Sequence, residues 1–354
     1  MLKFAIIGAG AGGQSMAAIL TSKGYIAKLY DIDKEKIHRL QELKTIKVTG
    51  VIACEAAPAV ITDRIDEVMD DVDVIMVVST TDAHRSIAYA CKPYLKDGQI
   101  VMLNPGHCGG ALEIANILRG EDGCGKDLII AEAGDLMYGC RSYEVGNILH
   151  TGLKVATLPA SDIDRLMKVL GPIFPCLQPA ANVLETGFEG AGAMLHPIPS
   201  LMNINKMDLG QSYDYYMEGI TPHIADIISA CDKERVAVCR ALGVDALALG
   251  DMLVKTYKLE PKDSLYDLIQ SIESYRALRN PTNTKHRFIV EDTMSGLVPL
   301  ASVGHALGIP TPMMDAFVNI ASAVCGRDFW KEGRTAEKLG MAGKTLEEIQ
   351  EMVR

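Results

Sequence analysis

Phe4-Ala5-Ile6-Ile7-Gly8-Ala9-Gly10-Ala11-Gly12-Gly13 decides the fold. Four apolar residues in a row read as a buried strand, and the glycines behind them fit G-x-G-x-x-G through Gly8, Gly10 and Gly13. Glycine is common and any tight turn uses it, so the run needs context. A helical stretch, Gln14 to Lys23, follows and is stopped by Gly24; a second strand, Ile26 to Tyr30, then runs into Asp31. In that setting Gly8 permits the tight turn, Gly10 lets the backbone approach a pyrophosphate, and Gly13 allows close helix–sheet packing. Ala11 and Gly12, between these glycines, count with them as cofactor-binding, and the helix N-terminus that follows supplies N–H groups for the same pyrophosphate. Asp31 stands where an acidic side chain bonds the adenosine ribose hydroxyls and repels a 2′-phosphate, so NAD(H) is favoured. Lys34 is the nearby cation that keeps NADP(H) possible. The competing reading is a structural turn with Asp31 capping the next helix.

Outward from this unit the same rhythm continues. Asp33–Leu43 reads as a helix, with β-like segments at Ile46–Thr49 and Val51–Cys54. Val74–Val78 is a near-continuous apolar run, the mark of a parallel strand covered on both faces. A helix over Asp82–Ala90, a strand over Gln99–Leu103, a helix over Ala111–Leu118 and a strand over Leu128–Ala131 complete a doubly wound parallel α/β sheet. Ile148–Leu158 reads as two last strands, Asp162–Leu170 as a helix, and the Pro- and Ala-rich Phe174–Asn182 as a linker. Beyond it the segments are helical: Thr186–Asn205, Thr221–Leu242, Ala246–Tyr257, Ser264–Tyr275, Thr293–Leu307, Met313–Val324 and Leu346–Val353. The expected organisation is a Rossmann domain over residues 1–180 and an all-α domain over 181–354.

The 354 residues suit two domains, and 48% hydrophobic residues are ample for two cores. A net charge of −10 argues against non-specific binding to nucleic acid or anionic membranes. No apolar run has the length of a membrane span, and Phe4–Ile7 is too short for the core of a signal peptide. Nine cysteines without a CxxC pair point to a reducing compartment, so a cytoplasmic protein without a structural metal is expected. The apolar stretch Ala316–Val324 is compatible with a homodimer and equally with an internal core.

Loops at the carboxyl ends of parallel strands line the ligand crevice of such a sheet. Ser79 and Thr80 close one strand and Asn104–Gly110, with His107, follows the next; both loops are expected at the nicotinamide half, or are ordinary turns. The first domain has no acid–base set of its own. In the second, His196 precedes Pro197, and two prolines inside a helical pattern mark a kink that disfavours the α-conformation at His196. An imidazole there is a candidate acid–base group, although most histidines are structural. Before the helix expected at Thr293, Arg287 could clamp a carboxylate and Asp292 could orient the imidazole. The bland alternatives are a surface arginine and a helix N-cap. His38, His84, His150, His223, His286 and His305 read as structural or solvated.

Taken together these segments resemble the octopine/nopaline (opine) dehydrogenase family. His196-Pro197 with Asn203 matches its His-Pro segment, and Arg287-x4-Asp292 followed by Gly296, Leu297 and Leu300 matches its Arg-x4-Asp segment. Val303–Pro312 and Gly333–Gly340 resemble its "G-x-x-x-G-[VI]-P-T-P" and "GRT-x-E-K-[LM]-G" stretches. The resemblance implies a Rossmann domain followed by a helical one. It also implies an activity that joins the amino group of an L-amino acid to a 2-keto acid, commonly pyruvate, and reduces the imine with NAD(P)H. His196 then becomes the general acid/base, Asp292 its orienting partner, and Arg287 a carboxylate ligand, with Asn203, His107 and Arg141 as further substrate contacts. The loop Glu132–Arg141 keeps a Cys-Arg ending, but its acidic opening matches no keto-acid contact. A plain keto-acid reductase in the style of ketopantoate reductase is the runner-up. It normally carries a catalytic lysine on the first helix after the linker, where this chain offers His196 and, later, Lys206. A nucleotide-sensing module would need only Asp31 and the glycine loop.

Overall fold

The computed structural model describes all residues except Ser142, Tyr143, Leu149, His150, Thr151 and Ala277, together with the backbone alone of Arg141 and Glu144–Ile148. His150 therefore lies outside the described residues. The chain divides into two compact units, Met1–Gly187 with Met352–Arg354, and Phe188–Glu351. The first ends a little beyond residue 180 because Thr186 is tied into it, its hydroxyl donating to the buried Glu132 carboxylate at 2.7 Å. The last three residues return to it; there the Ser161 N–H donates to the Arg354 carbonyl at 3.1 Å.

Among the described residues twelve strands build the first unit. They are β1 Lys3–Ile7, β2 Ile26–Tyr30, β3 Ile46–Gly50, β4 Cys54–Ala56, β5 Val60–Thr62, β6 Val74–Val77, β7 Ile100–Leu103, β8 Ile129–Ala133, β9 Tyr138–Arg141, β10 Glu144–Ile148, β11 Leu153–Leu158 and β12 Leu177–Pro179. Eight form one sheet in the order β12-β11-β8-β7-β6-β1-β2-β5. From β5 to β8 all pairs are parallel, β11 runs antiparallel to β8, and β12 is parallel to β11. The order reverses at β1, so the crevice beyond the carboxyl ends of β1 and β6 is the switch point where such sheets bind ligands. β6 and β7 are buried along their whole length, as their continuous apolar sequences require.

Two features correct the sequence reading. Phe174–Asn182 is no linker: Leu177–Pro179 is an edge strand, where a proline is tolerated because no neighbour needs its missing N–H. The β-like segments after residue 45 belong to a second sheet, β4-β3-β10-β9, outside the doubly wound one.

The second unit is helical, its sole β-type contact among the described residues being an isolated bridge between Asp214 and Arg279. The expected helix over 186–205 is four short ones, Val183–Phe188, Gly192–Leu195, Pro197–Met202 and Ile204–Asp208. The first two breaks fall where glycine or proline withholds a side chain or a donor, at Gly190–Gly192 and Pro197, and the third falls at Asn203. The Pro312–Cys325 helix buries Met314, Phe317, Val318 and Ala321 inside the unit, which accounts for much of its apolar character. No helix among the described residues is long and apolar enough to cross a membrane.

Glu132 holds the crevice side of the first unit together. Fully buried on β8, it accepts from the Ala111 N–H at 2.8 Å and from the Thr186 hydroxyl. Removing the carboxylate leaves both donors buried without it. Glu132→Ala should therefore lower unfolding stability by roughly 3 kcal/mol, read by urea denaturation of the two variants.

Candidate active site

The dinucleotide loop is built as its glycines require. Gly8 has φ +112°, and a Cβ there would lie 2.3 Å from the Val78 carbonyl oxygen; a Cβ on Gly13 would lie 1.8 Å from the Gly8 oxygen. Gly10 differs, since a Cβ there would meet nothing within 4 Å. It caps the Ala11–Ser22 helix without any side-chain cap, so the first N–H groups stand at an open cradle. Asp31 follows β2, its Oδ2 accepting from the Ala9 N–H at 2.7 Å and its Oδ1 from the Asp33 N–H at 2.9 Å. The carboxylate thus braces the loop as well as marking the ribose position. It caps no helix through its side chain; Asp33 does, accepting from the Lys36 N–H at 3.0 Å. The cation on Asp31 is Lys36, at 3.0 Å, and not Lys34, which lies 3.8 Å from Asp63. The pattern D-x-x-K across a helix start could have revealed this. An open cradle, an uncapped helix end and an acidic residue behind them fit a pyridine dinucleotide.

The flanking loops are less committed. Ser79 donates to the Thr80 carbonyl at 3.1 Å, and Thr80 is exposed. His107 sits at φ +48°, and its carbonyl accepts from the Gly110 N–H at 2.9 Å. Asn104 accepts from the Met137 N–H at 2.9 Å. Arg141 ends β9, with its side chain outside the description. Cys140, just before it, has its thiol pushed up by burial.

In the second unit His196 and Asp292, 96 residues apart in sequence, meet: Nδ1 lies 3.1 Å from Asp292 Oδ2. Nε2 lies 3.2 Å from the Tyr216 hydroxyl, and the ring stacks on Phe288 with centroids 4.0 Å apart and planes 7° from parallel. Pro197 does break the helix, but His196 stays in the α region at φ −112°, ψ −64°, against the sequence expectation. Its carbonyl is held there by the Tyr215 hydroxyl at 2.5 Å and the Ser200 hydroxyl at 2.7 Å.

Asp292 is not an N-cap. The helix starts at Arg287 and passes through a π-helical segment, Thr293–Leu297, into Val298–Ala306. Gly296 allows that segment to approach the Gly192–Leu195 helix, for a Cβ on it would lie 2.7 Å from Ala193 Cβ. Arg287, about half exposed, donates from Nε to Glu291 at 2.8 Å. Asn203 is buried, its Nδ2 donating to the carbonyls of Pro199 at 2.9 Å and Gly219 at 2.8 Å, which makes it a brace of the kinked segment. Lys206 stands over the Tyr213 ring, 4.6 Å from its centroid. Sequence reasoning missed Tyr215, Tyr216 and Phe288; His286 is structural, within the expectation for it, its Nδ1 capping the Arg287 helix by accepting from the Phe288 N–H at 3.2 Å.

A family model described as NAD/NADP octopine/nopaline dehydrogenase, alpha-helical domain, matches residues 179–325; one described as NAD-dependent glycerol-3-phosphate dehydrogenase N-terminus matches residues 3–107. The opine dehydrogenase of Arthrobacter sp. (strain 1C) is 35% identical over 355 residues, covering 99% of this chain and 98% of that one. The chain belongs to the opine dehydrogenase family. It is an NAD(P)-dependent oxidoreductase. An octopine dehydrogenase structure with NADH and L-arginine shares the fold, with a TM-score of 0.81 at 19% identity over 99% of this chain and 98% of that one. So does an NADP+-bound yersinopine dehydrogenase, at 0.72 and 15% identity over 100% and 98%.

In this family member the Gly333–Gly340 stretch carries a bracing lysine. Lys338 donates to the carbonyls of Lys331 at 2.8 Å, Glu332 at 2.9 Å and Gly333 at 2.6 Å, closing the Phe329–Glu332 helix.

Two predictions follow from these geometries. Gly10→Ala should keep the thermal midpoint but raise the Michaelis constant for the nucleotide by about tenfold or more, because its Cβ fills the cradle. Gly13→Ala should instead lose at least about 2 kcal/mol of stability, because its Cβ meets backbone. Differential scanning fluorimetry with and without nucleotide separates the two. The second concerns His286, whose pKa is lowered by burial first, then by Arg287 and His196. The folded state thus resists its protonation, while the unfolded chain takes up that proton from about pH 6.5 downward. Stability should fall as pH drops from 7 toward 5, and His286→Asn, which keeps an acceptor at the cap, should flatten that slope. An unchanged slope in thermal midpoint against pH would exclude His286 as its source.

Proposed function

We propose that the chain condenses the amino group of an L-amino acid with a 2-keto acid, pyruvate foremost, and reduces the product to an N-(carboxyalkyl)amino acid, with the reverse oxidation open to it. The observation that carries this reading is the imidazole of His196 with Nδ1 on Asp292 at 3.1 Å, a carboxylate on the same short helix as a half-exposed Arg287. An ionised Asp292 only accepts, so the Nδ1 proton stays on the ring and Nε2 is the basic nitrogen. At Nε2 the imidazole takes a proton from the amino acid's ammonium, freeing the amine to add to the keto carbon. The imidazolium then returns that proton to the carbinolamine hydroxyl, which leaves as water. Arg287 binds a carboxylate through its planar fork. The Gly8–Gly13 loop with Ala11 and Gly12, together with Ser79 and Thr80, would hold NADH, which would supply the hydride. Asp31 favours NADH over NADPH, and Lys36 beside it is the group through which a 2′-phosphate would be admitted.

A plain keto-acid reductase is the second reading. The lysine it would call upon, Lys206, is occupied by the Tyr213 ring. The test is NADH oxidation with pyruvate, with and without a panel of L-amino acids, repeated with NADPH. Strict amine dependence is expected, with NADH the better reductant; oxidation without amine would overturn the condensation. His196→Ala should lower turnover by about 100-fold or more while NADH still binds. Arg287→Ala should weaken the acid substrates and leave the NADH constant unchanged.

A further inference from the structure

The imidazole of His196 is enclosed on three sides. Asp292 holds Nδ1, Phe288 covers one face, and the Tyr216 hydroxyl stands 3.2 Å from Nε2, the only nitrogen left to exchange a proton. Tyr216 is itself fixed by packing. Buried, it stacks on Tyr275 with centroids 4.0 Å apart and planes at 18°, and Tyr257 meets Tyr275 edge-on at 5.4 Å. On its other side Tyr215 stands nearly perpendicular, at 71° and 5.0 Å, with its own hydroxyl engaged by the His196 carbonyl and Ser200. The two neighbouring tyrosines therefore divide the histidine between them, Tyr215 fixing the backbone and Tyr216 meeting the basic nitrogen.

With the ring proton on Nδ1, Nε2 accepts and the Tyr216 O–H donates. After protonation the roles reverse, because a phenol oxygen also accepts. We propose that Tyr216 relays the proton between substrate and His196, an inference that rests on the condensation reading above. In the forward direction the substrate ammonium gives a proton to the Tyr216 oxygen as the phenolic proton passes to Nε2, leaving a neutral amine, a neutral phenol and an imidazolium. In dehydration the imidazolium proton returns to the Tyr216 oxygen as the phenolic proton passes to the carbinolamine hydroxyl, and water departs. No charge rests on the phenol in either state, which suits an oxygen buried among aromatic rings.

Tyr216→Phe keeps the ring and its stack on Tyr275 and removes only the relay. The amine-dependent rate should fall by about tenfold or more with the NADH constant unchanged. Pre-steady-state rates in mixtures of light and heavy water should give a bowed proton inventory for the native chain, two protons moving together, and a straight line for the variant. A native inventory that is already straight, or a variant that keeps its full rate, overturns the relay. Nitrogen-15 NMR of histidine-labelled protein without substrate provides a check independent of the reaction. The Nε2 resonance of His196 should move in Tyr216→Phe, and an unmoved resonance overturns the contact on which the relay depends. A chain that shows the NMR shift but oxidises NADH without amine refutes the condensation alone.

Discussion

The position of the His196 ring depends on a missing N–H. Pro197 cannot donate back to the Ala193 carbonyl, so the chain breaks between Leu195 and Pro197, and the His196 carbonyl opens the next short helix as acceptor of the Ser200 N–H. Tyr215 and Ser200 bind that oxygen, and the side chain is thereby presented to Asp292, Phe288 and Tyr216. A regular helix through residue 196 would send the ring along the helix axis with its neighbours. The break is stable because Asn203 ties the following turn to Gly219 and Pro199.

The two units solve similar problems with buried charge. In the first, Glu132 gathers a helix start and Thr186; in the second, the fully buried Arg235 pairs with Asp232 at 2.7 Å and donates to the carbonyls of Glu189 and Leu247. Each fixes irregular backbone that has no ladder or helix to satisfy it, which is the costliest part of a loop-rich crevice to leave unpaired. Of the candidate site charges, Arg287 is about half exposed, while the carboxylates of Asp31 and Asp292 are mostly covered.

What the sequence disclosed follows from distance along the chain. The strand, glycine loop and Asp31 were legible because a β–α–β unit is local and each glycine has its own steric reason. His196 stood out at a proline kink and Asp292 ahead of an expected helix, and the family-like segments joined them, since nothing in 96 residues of spacing announces a contact. Phe288, Tyr215 and Tyr216 were invisible, because an aromatic residue reads first as core and only packing shows what its hydroxyl or face touches. Lys36 was passed over for Lys34 through counting nearness in sequence, when a cap at Asp33 turns the third residue of the helix back toward β2. The edge strand at Leu177–Pro179 was hidden by its proline.

The π-helical turn at Thr293–Leu297 bears on how this helix can change over time. A π turn holds about one residue more than an α turn, so it absorbs an extra residue locally and leaves the helix before and after it near one common bearing. Excising a single residue there would restore a regular helix while Arg287 and Asp292 kept roughly their present bearing about the axis. Single-residue insertions and deletions in this short stretch can thus be taken up by the width of one turn, and descendants of such a chain could gain or lose the residue without moving the carboxylate from the imidazole.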